Sequence, residues 1–271
     1  MAASQVITSS ANSLLKEVRR SVSRGSATAD GFAVAESFHL LTEALRSGLE
    51  FQAVLVAEKA YASVAKLLRS RPDISLRTIE DRTFAAAAST ETSQGVISLV
   101  RLPGWDIEAM FGGGPLVVLD GMQDPGNAGS IARSAEAFGA SGVVFLRGTV
   151  AAANPKTLRA SAGSLFRVPF LEGMGRDEIA AQVRRRKLTL LAASSDAGVP
   201  LPRQDLLTPC VVVIGSEGQG VSPELRTFAQ PVHIPTTGVE SLNAAVSAAV
   251  ILYEAARQRG RLGPGPREGG A

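Results

Sequence analysis

The chain is poor in the residues that make thiol and metal chemistry. Of its 271 residues one is cysteine and two are histidine. A lone Cys210 excludes an internal disulfide and a cysteine metal cluster. It stands directly before the apolar run Val211–Ile214, so a buried thiol is expected rather than a nucleophile. His39 and His233 are far apart, each in an apolar context, and read as structural residues; no metal is expected. Aromatic residues make up 5% of the chain, so the core has to be aliphatic. No apolar run is long enough to span a bilayer, and no signal-type apolar stretch opens the chain. A cytoplasmic protein without a membrane partner is expected. There is also no phosphate loop with its lysine, and no GxGxxG after an early strand, which counts against an enzyme using a nicotinamide cofactor.

What is present is a large hydrophobic fraction, 45%, enough for a full core. Lys and Arg number 28 against 25 Asp and Glu, a net charge of +3. The sequence pI of about 9.3 is compatible with an RNA partner. The length suits two modest domains or one large one.

Near the start, Ser10 or Asn12 is placed to cap a short helix that turns Leu14, Leu15 and Val18 inward. Lys16, Arg19, Arg20 and Arg24 then lie on its outer side or just beyond it. They read either as a solvated face or as an arm that contacts phosphates. The Ser/Gly/Ala/Thr segment after Arg24 is expected to be mobile. Residues 31–100 alternate helix and strand: helices over Glu36–Ser47, Tyr61–Arg69 and Asp81–Ala88, and strands over Ala53–Ala57, Ser75–Ile79 and Val96–Val100. This is a small α/β module. Pro, Gly and an abrupt change of composition place a linker at 106–114, with Gly112–Gly114 as a flexible joint. The expected organisation is an N-terminal domain over 1–105, that linker, a second domain over 115–260, and a disordered Gly/Pro/Arg-rich tail over 261–271.

The second domain opens on Leu116–Ala140, which reads strand, Asp/Pro/Gly/Asn loop, helix. Asn127 is the expected cap and Gly139 the stop. Gly129, Ser130 and Arg133 share a face, where small residues leave room for a ligand beside the guanidinium. Further strands are expected over Gly142–Leu146, Leu188–Ala193 and Val232–Ile234, with helices over Asp177–Lys187 and from Ala244 to about Arg259. Arg184, Arg185, Arg186 and Lys187 form a basic helix end, first a solvated terminus and second an RNA contact. The run VVVIGSEGQG (Val211–Gly220) takes a buried strand straight into a glycine loop, and Ser222-Pro223-Glu224 starts a helix.

Three segments then stand in order: DPGNAGSIARSAEAFGA, IGSEGQGVS and IPTTGVESLNAAVSAA. Together they resemble the three signature motifs of the SpoU/TrmH family of RNA ribose 2′-O-methyltransferases, within the SPOUT superfamily, over roughly residues 115–259. KTLRASAGSLF resembles the family's intermediate motif, and the N-terminal module resembles the substrate-binding domain that many members carry. The resemblance implies an α/β fold: a C-terminal parallel sheet with a trefoil knot, plus the smaller N-terminal α/β domain. It implies S-adenosylmethionine (AdoMet) as the cofactor, held by Gly215, Glu217, Gly218, Gly220, Ile234 and Leu242. It places the family's catalytic arginine on Arg133, near Asn127, with Glu217, Ser241 and Asn243 as further site residues. RNA contacts fall on Lys16, Arg19, Arg20, Arg24 and Arg159. The loop Ile234–Ser241 is one residue shorter than the commonest family form, with Thr236 where Met or Leu is frequent. The expected activity is methylation of a ribose 2′-hydroxyl, in 23S rRNA or else in tRNA, by a homodimer. The alternative is an RNA-binding protein of the same fold that has lost catalysis.

Overall fold

The computed structural model describes residues 6–90, 92–195 and 197–263; residues 264–271, most of the tail expected to be disordered, lie outside the described residues. The described residues divide into two compact units, one within 6–104, 124–133 and 150–167, the other within 105–123, 134–149 and 168–263.

The first unit opens on helix α1 (Ser13–Arg24), capped by Asn12, whose Oδ1 accepts from the backbone N–H of Leu14 and Leu15 at 3.0 and 3.4 Å. Its sheet holds β1 (Ala33–Glu36), β2 (Phe51–Ala57), β3 (Leu76–Ile79) and β4 (Val96–Val100) in the order β1-β4-β2-β3. Strand β4 runs antiparallel to both neighbours, while β2 and β3 are parallel. The period of two divides β2 cleanly. Ala53, Leu55 and Ala57 pack with Leu15 and Val18 of α1 and with Phe84 of α4 (Asp81–Ala85). Val54 and Val56 pack on the other face with Leu41 of α2 (Phe38–Arg46) and Val64 of α3 (Tyr61–Leu67).

Two expectations for this unit change. The helix expected from Glu36 begins at Phe38, because Ser37 accepts from the Leu40 N–H at 3.1 Å, and Ala33–Glu36 is instead a fully buried strand. The segment after Arg24, expected to be mobile, is held: Thr28 is buried and its hydroxyl accepts from the Phe32 N–H at 3.0 Å.

The second unit is built on seven parallel strands: β5 (Leu116–Asp120), β6 (Gly142–Leu146), β7 (Phe170–Met174), β8 (Thr189–Ser194), β9 (Val199–Pro200), β10 (Cys210–Gly215) and β11 (Gln230–His233). Their spatial order is β7-β6-β5-β10-β8-β11-β9. The chain winds outward from β5 in one direction and returns on its other side, so the winding reverses between β5 and β10. Leu116, Val118, Val211 and Val213 face a core closed by Ile179, Ala180 and Val183 of α7 (Arg176–Arg185). Helices α8 (Pro223–Arg226) and α9 (Ala244–Gln258) complete the unit.

The segment 106–114 is not the free linker expected. Residues Ile107–Met110 form a 3-10 turn, and Met110 is fully buried in the second unit's core. A Cβ on Gly114 would lie 2.0 Å from the Gly139 carbonyl oxygen, so that glycine serves close packing, not a hinge.

Helix α5 (Pro125–Ala137) passes from one unit to the other within its own length, between Arg133 and Ser134. Its cap is not Asn127. Asp124 accepts from the Asn127 N–H at 2.7 Å, and Pro125 takes the first helical position. Gly129 does not open room for a ligand: a Cβ there would sit 2.3 Å from the Thr157 carbonyl and 2.6 Å from Ala160 Cβ. Both belong to α6 (Pro155–Ser161), so the small residue lets two helices touch.

Candidate functional site

In parallel α/β sheets, ligands bind beyond the carboxyl ends of the strands, near the point where the winding reverses. The second unit has a cavity of about 760 Å³ in that position. Its walls come from the ends of β8, β10 and β11, the loops that follow them, and the first turns of α9. This volume is within the range of roughly 300–1,000 Å³ usual for cofactor-sized ligands.

The glycine loop forms one wall. Strand β10 ends at Gly215, where a Cβ would meet the Gly220 carbonyl carbon at 2.0 Å and the Val221 nitrogen at 2.3 Å. Only glycine permits that approach. The turn is closed by the Gly220 N–H donating to the Ser216 carbonyl at 2.8 Å, and Gly220 takes φ 66°. The opposite wall is the segment after β11, with Ile234, Ser241 and Leu242. Asn243 joins the two. Its Oδ1 caps α9 by accepting from the Ala245 and Val246 N–H at 2.9 and 3.3 Å, which turns its Nδ2 toward Glu217 at 3.0 Å.

Of the residues expected to form the site, the cavity gathers Gly215, Glu217, Gly220, Ile234, Ser241, Leu242 and Asn243. Gly218 is not among the lining residues, and a Cβ there would meet open space. Asn127 and Arg133 lie on α5 in the stretch grouped with the first unit and are also not among the lining residues; Asn127 is half-buried and Arg133 exposed. The RNA-contact candidates all belong to the first unit. Lys16 and Arg24 are exposed, but Arg19 donates to the Ser10 carbonyl at 2.5 Å and Arg20 pairs with Glu17 at 2.6 Å. Arg159 donates to the Ser89 hydroxyl at 3.1 Å, and that residue's N–H in turn binds the buried carboxylate of Glu36 at 2.7 Å.

Sequence reasoning passed over Ser194, Ser195 and Arg226, which also line the cavity. The two serines follow a strand end in a parallel sheet, a position that is itself a signal. Arg226 had none, being one charged residue of a short exposed helix. It is the one cation among the described lining residues, which also include the acids Glu217 and Glu240. No cluster of metal-ligating side chains occurs among the described residues.

A parallel sheet with a glycine loop and an apolar-and-polar cavity at its carboxyl edge defines a cofactor-binding α/β protein. The sequence profile described as the SpoU rRNA Methylase family matches residues 114–253, and the chain belongs to that family. An uncharacterized tRNA/rRNA methyltransferase of Synechocystis sp. is 32% identical over 93% of this chain and 94% of its own length. The 23S rRNA (guanosine(2553)-2′-O)-methyltransferase of Bacillus subtilis is 27% identical over 91% of this chain and 97% of its own. Among solved structures, the SpoU methyltransferase AviRb from Streptomyces viridochromogenes in complex with the cofactor AdoMet superposes with a TM-score of 0.78. That match has 26% identity and covers 92% of this chain and 99% of that one.

Proposed function

We propose that the chain is an AdoMet-dependent RNA methyltransferase acting on a ribose 2′-hydroxyl, in 23S rRNA before tRNA. The observation that carries the reading is the single cavity shared by the glycine loop Gly215–Gly220 and the segment Ile234–Asn243, two motifs distant in sequence. Its residue types suit AdoMet. The close-packed backbone turn at Gly215 and Gly220 and the side chains of Ile234 and Leu242 offer a slot for the adenosine. Arg226 suits the carboxylate of the methionine part, and Glu217 and Glu240 suit its positive charges. When bound, AdoMet supplies a methyl group already activated on its sulfonium, so no metal is called for.

The protein's part is to make a poor nucleophile react. Arg133, an arginine that keeps its proton at any ordinary pH, is a weak base and a strong anion clamp. Its proposed role is to grip an RNA phosphate and stabilise the developing 2′-alkoxide, with Asn127 as a further site residue on the same helix α5. Asn243 and Ser241 orient Glu217 and the substrate. The first unit, over residues 1–105, supplies RNA affinity through Lys16 and Arg24, with Arg19, Arg20 and Arg159 as secondary contacts that must exchange existing partners. The knotted passage of the C-terminal segment, a homodimer and a cytoplasmic setting complete the reading. No helix among the described residues is long and apolar enough to cross a membrane.

Calorimetric titration of the full chain tests this. AdoMet is expected to bind and NAD is not. AdoMet binding without methyl transfer to any RNA would favour the inactive RNA-binding alternative, and NAD binding would overturn the reading.

A further inference from the structure

We propose that Asp120 is a positioning residue for the cofactor loop, its side chain tying the Ser222 end of Gly215–Ser222 to the strand from which the loop departs, and that Arg176 holds it in place. The inference rests on the AdoMet reading above. Asp120 is the last residue of β5 and is 2% exposed. A carboxylate so buried is costly unless every oxygen is satisfied. Here both are. Oδ1 accepts from Arg176 Nε at 2.9 Å and lies 2.8 Å from Arg176 Nη2, a charged partner at the start of α7. Oδ2 accepts from the backbone N–H of Ser222 at 2.8 Å.

Two facts give this geometry a direction. In the β5–β10 ladder Asp120 pairs with Gly215, where the loop departs. That pairing is through the backbone, whereas the Asp120 side chain reaches Ser222, where the loop ends and α8 begins. The carboxylate therefore ties the far end of the loop back beside the strand pair where the loop begins, and the inner surface of that loop, through Glu217, Gln219 and Gly220, forms a wall of the cavity. The neighbouring turn is pinned as well: the Gly121 N–H donates to the Thr149 hydroxyl at 3.1 Å, which donates to the Leu119 carbonyl at 2.9 Å. A leucine in place of Asp120 could fill the same volume in the sheet, but it would leave the Ser222 N–H without a partner and the loop free to open. The carboxylate is thus explained by what it does to the loop. A loop already in its binding shape spares the cofactor the cost of ordering it.

The test uses the full chain and three variants, Asp120→Ala, Asp120→Asn and Arg176→Lys. For Asp120→Ala, the AdoMet Kd and the KM for AdoMet are expected to rise about tenfold, with kcat at saturating AdoMet within about threefold of wild type. Asp120→Asn keeps one oxygen to accept from Ser222 and should lose less. Arg176→Lys keeps charge but loses the two-nitrogen grip and should fall between wild type and Asp120→Ala. Hydrogen exchange, read without cofactor, should show faster exchange across 216–222 in Asp120→Ala while β5 and β10 stay protected. A lowered Tm with unchanged Kd and unchanged loop exchange would mean that Asp120 only stabilises the fold, and would overturn the proposal. If the wild type bound no AdoMet, the functional reading would fall, and the exchange pattern would still decide whether Asp120 holds the loop.

Discussion

Arg133 stands exposed on α5 while the cavity-lining residues cluster at and after the ends of β8, β10 and β11. The roles proposed for Arg133 and for the cavity residues are therefore separable, which makes a sharp expectation. Arg133→Ala should lower methyl transfer by roughly a hundredfold or more while leaving the AdoMet Kd unchanged. Arg133→Lys keeps the charge, loses the planar fork, and should also fail substantially. Near wild-type transfer by either variant removes the role assigned to this residue. The glycines behave oppositely. Gly215→Ala forces a Cβ into the Gly220 backbone and should abolish AdoMet binding measured by calorimetry, whereas Gly218→Val, facing open space, should not block it. Cys210 is 3% exposed, and burial pushes its thiol up to about 11 from 9.0. The folded state thus holds the proton more tightly than the unfolded one. Its stabilising effect is complete below pH 9 and is lost as pH rises through about 11, up to ~3 kcal/mol in all. A thiol-trapping reagent at pH 8 should label Cys210 only after denaturation; rapid labelling of the folded chain would contradict its burial. At this scale the sequence was partly legible. Gly215 announces itself through the glycine loop after a buried strand, and Asn243 through its place in the third motif. Asp120 does not, because its partners lie 56 and 102 residues further on and no local pattern joins them.

Among the elements, the strands with continuous branched apolar runs, such as Leu116–Asp120 and Cys210–Gly215, were readable because burial on both faces demands them. Strand β1 was not: Ala33–Glu36 ends in a glutamate, which looks like a helix start until its carboxylate is seen to be buried and bound by Ser89 and Thr90. The cap of α5 lies three residues before the expected one, since Asp124 and Asn127 are equally good caps and only Pro125 decides between them. The basic end of α7 looked like a possible RNA contact, yet much of it is held within its own unit. Arg185 and Arg186 pair with Glu108 at 3.1 and 2.6 Å, holding that carboxyl below its ordinary range, and Arg184 and Arg186 stack on Phe228 and Phe111. On α1 the exposed Lys16 and Arg24 are the better candidates. Changing both to Ala should weaken RNA binding and reduce the salt slope by about one for each phosphate no longer neutralised. Changing Arg185 and Arg186 should leave that slope alone. A reversed pattern in a filter-binding salt series would move the RNA surface from α1 to α7.

For the whole molecule, α9 carries a face that the described chain leaves open: Val246 and Tyr253 are each 48% exposed, and Tyr253 meets Phe138 edge-on at 5.7 Å. Such a face fits a two-fold contact between copies. Sedimentation at micromolar concentration should give a dimer, and Tyr253→Arg should shift it toward monomer; a monomer in the wild type would contradict the arrangement. Cutting the chain at the expected linker is not a clean test of either unit, because Met110 belongs to the second core while α6 packs on β1 of the first. The full chain is the proper object. The most direct measurement supplies it with AdoMet labelled in the methyl group and unmodified ribosomal RNA, then digests the RNA with alkali. A 2′-O-methyl group blocks cleavage at the neighbouring phosphodiester, so the account predicts label in an alkali-stable dinucleotide, lost in Arg133→Ala. Label in mononucleotides would place the methyl on a base and contradict ribose methylation, and no incorporation into either ribosomal or transfer RNA would contradict the enzyme itself.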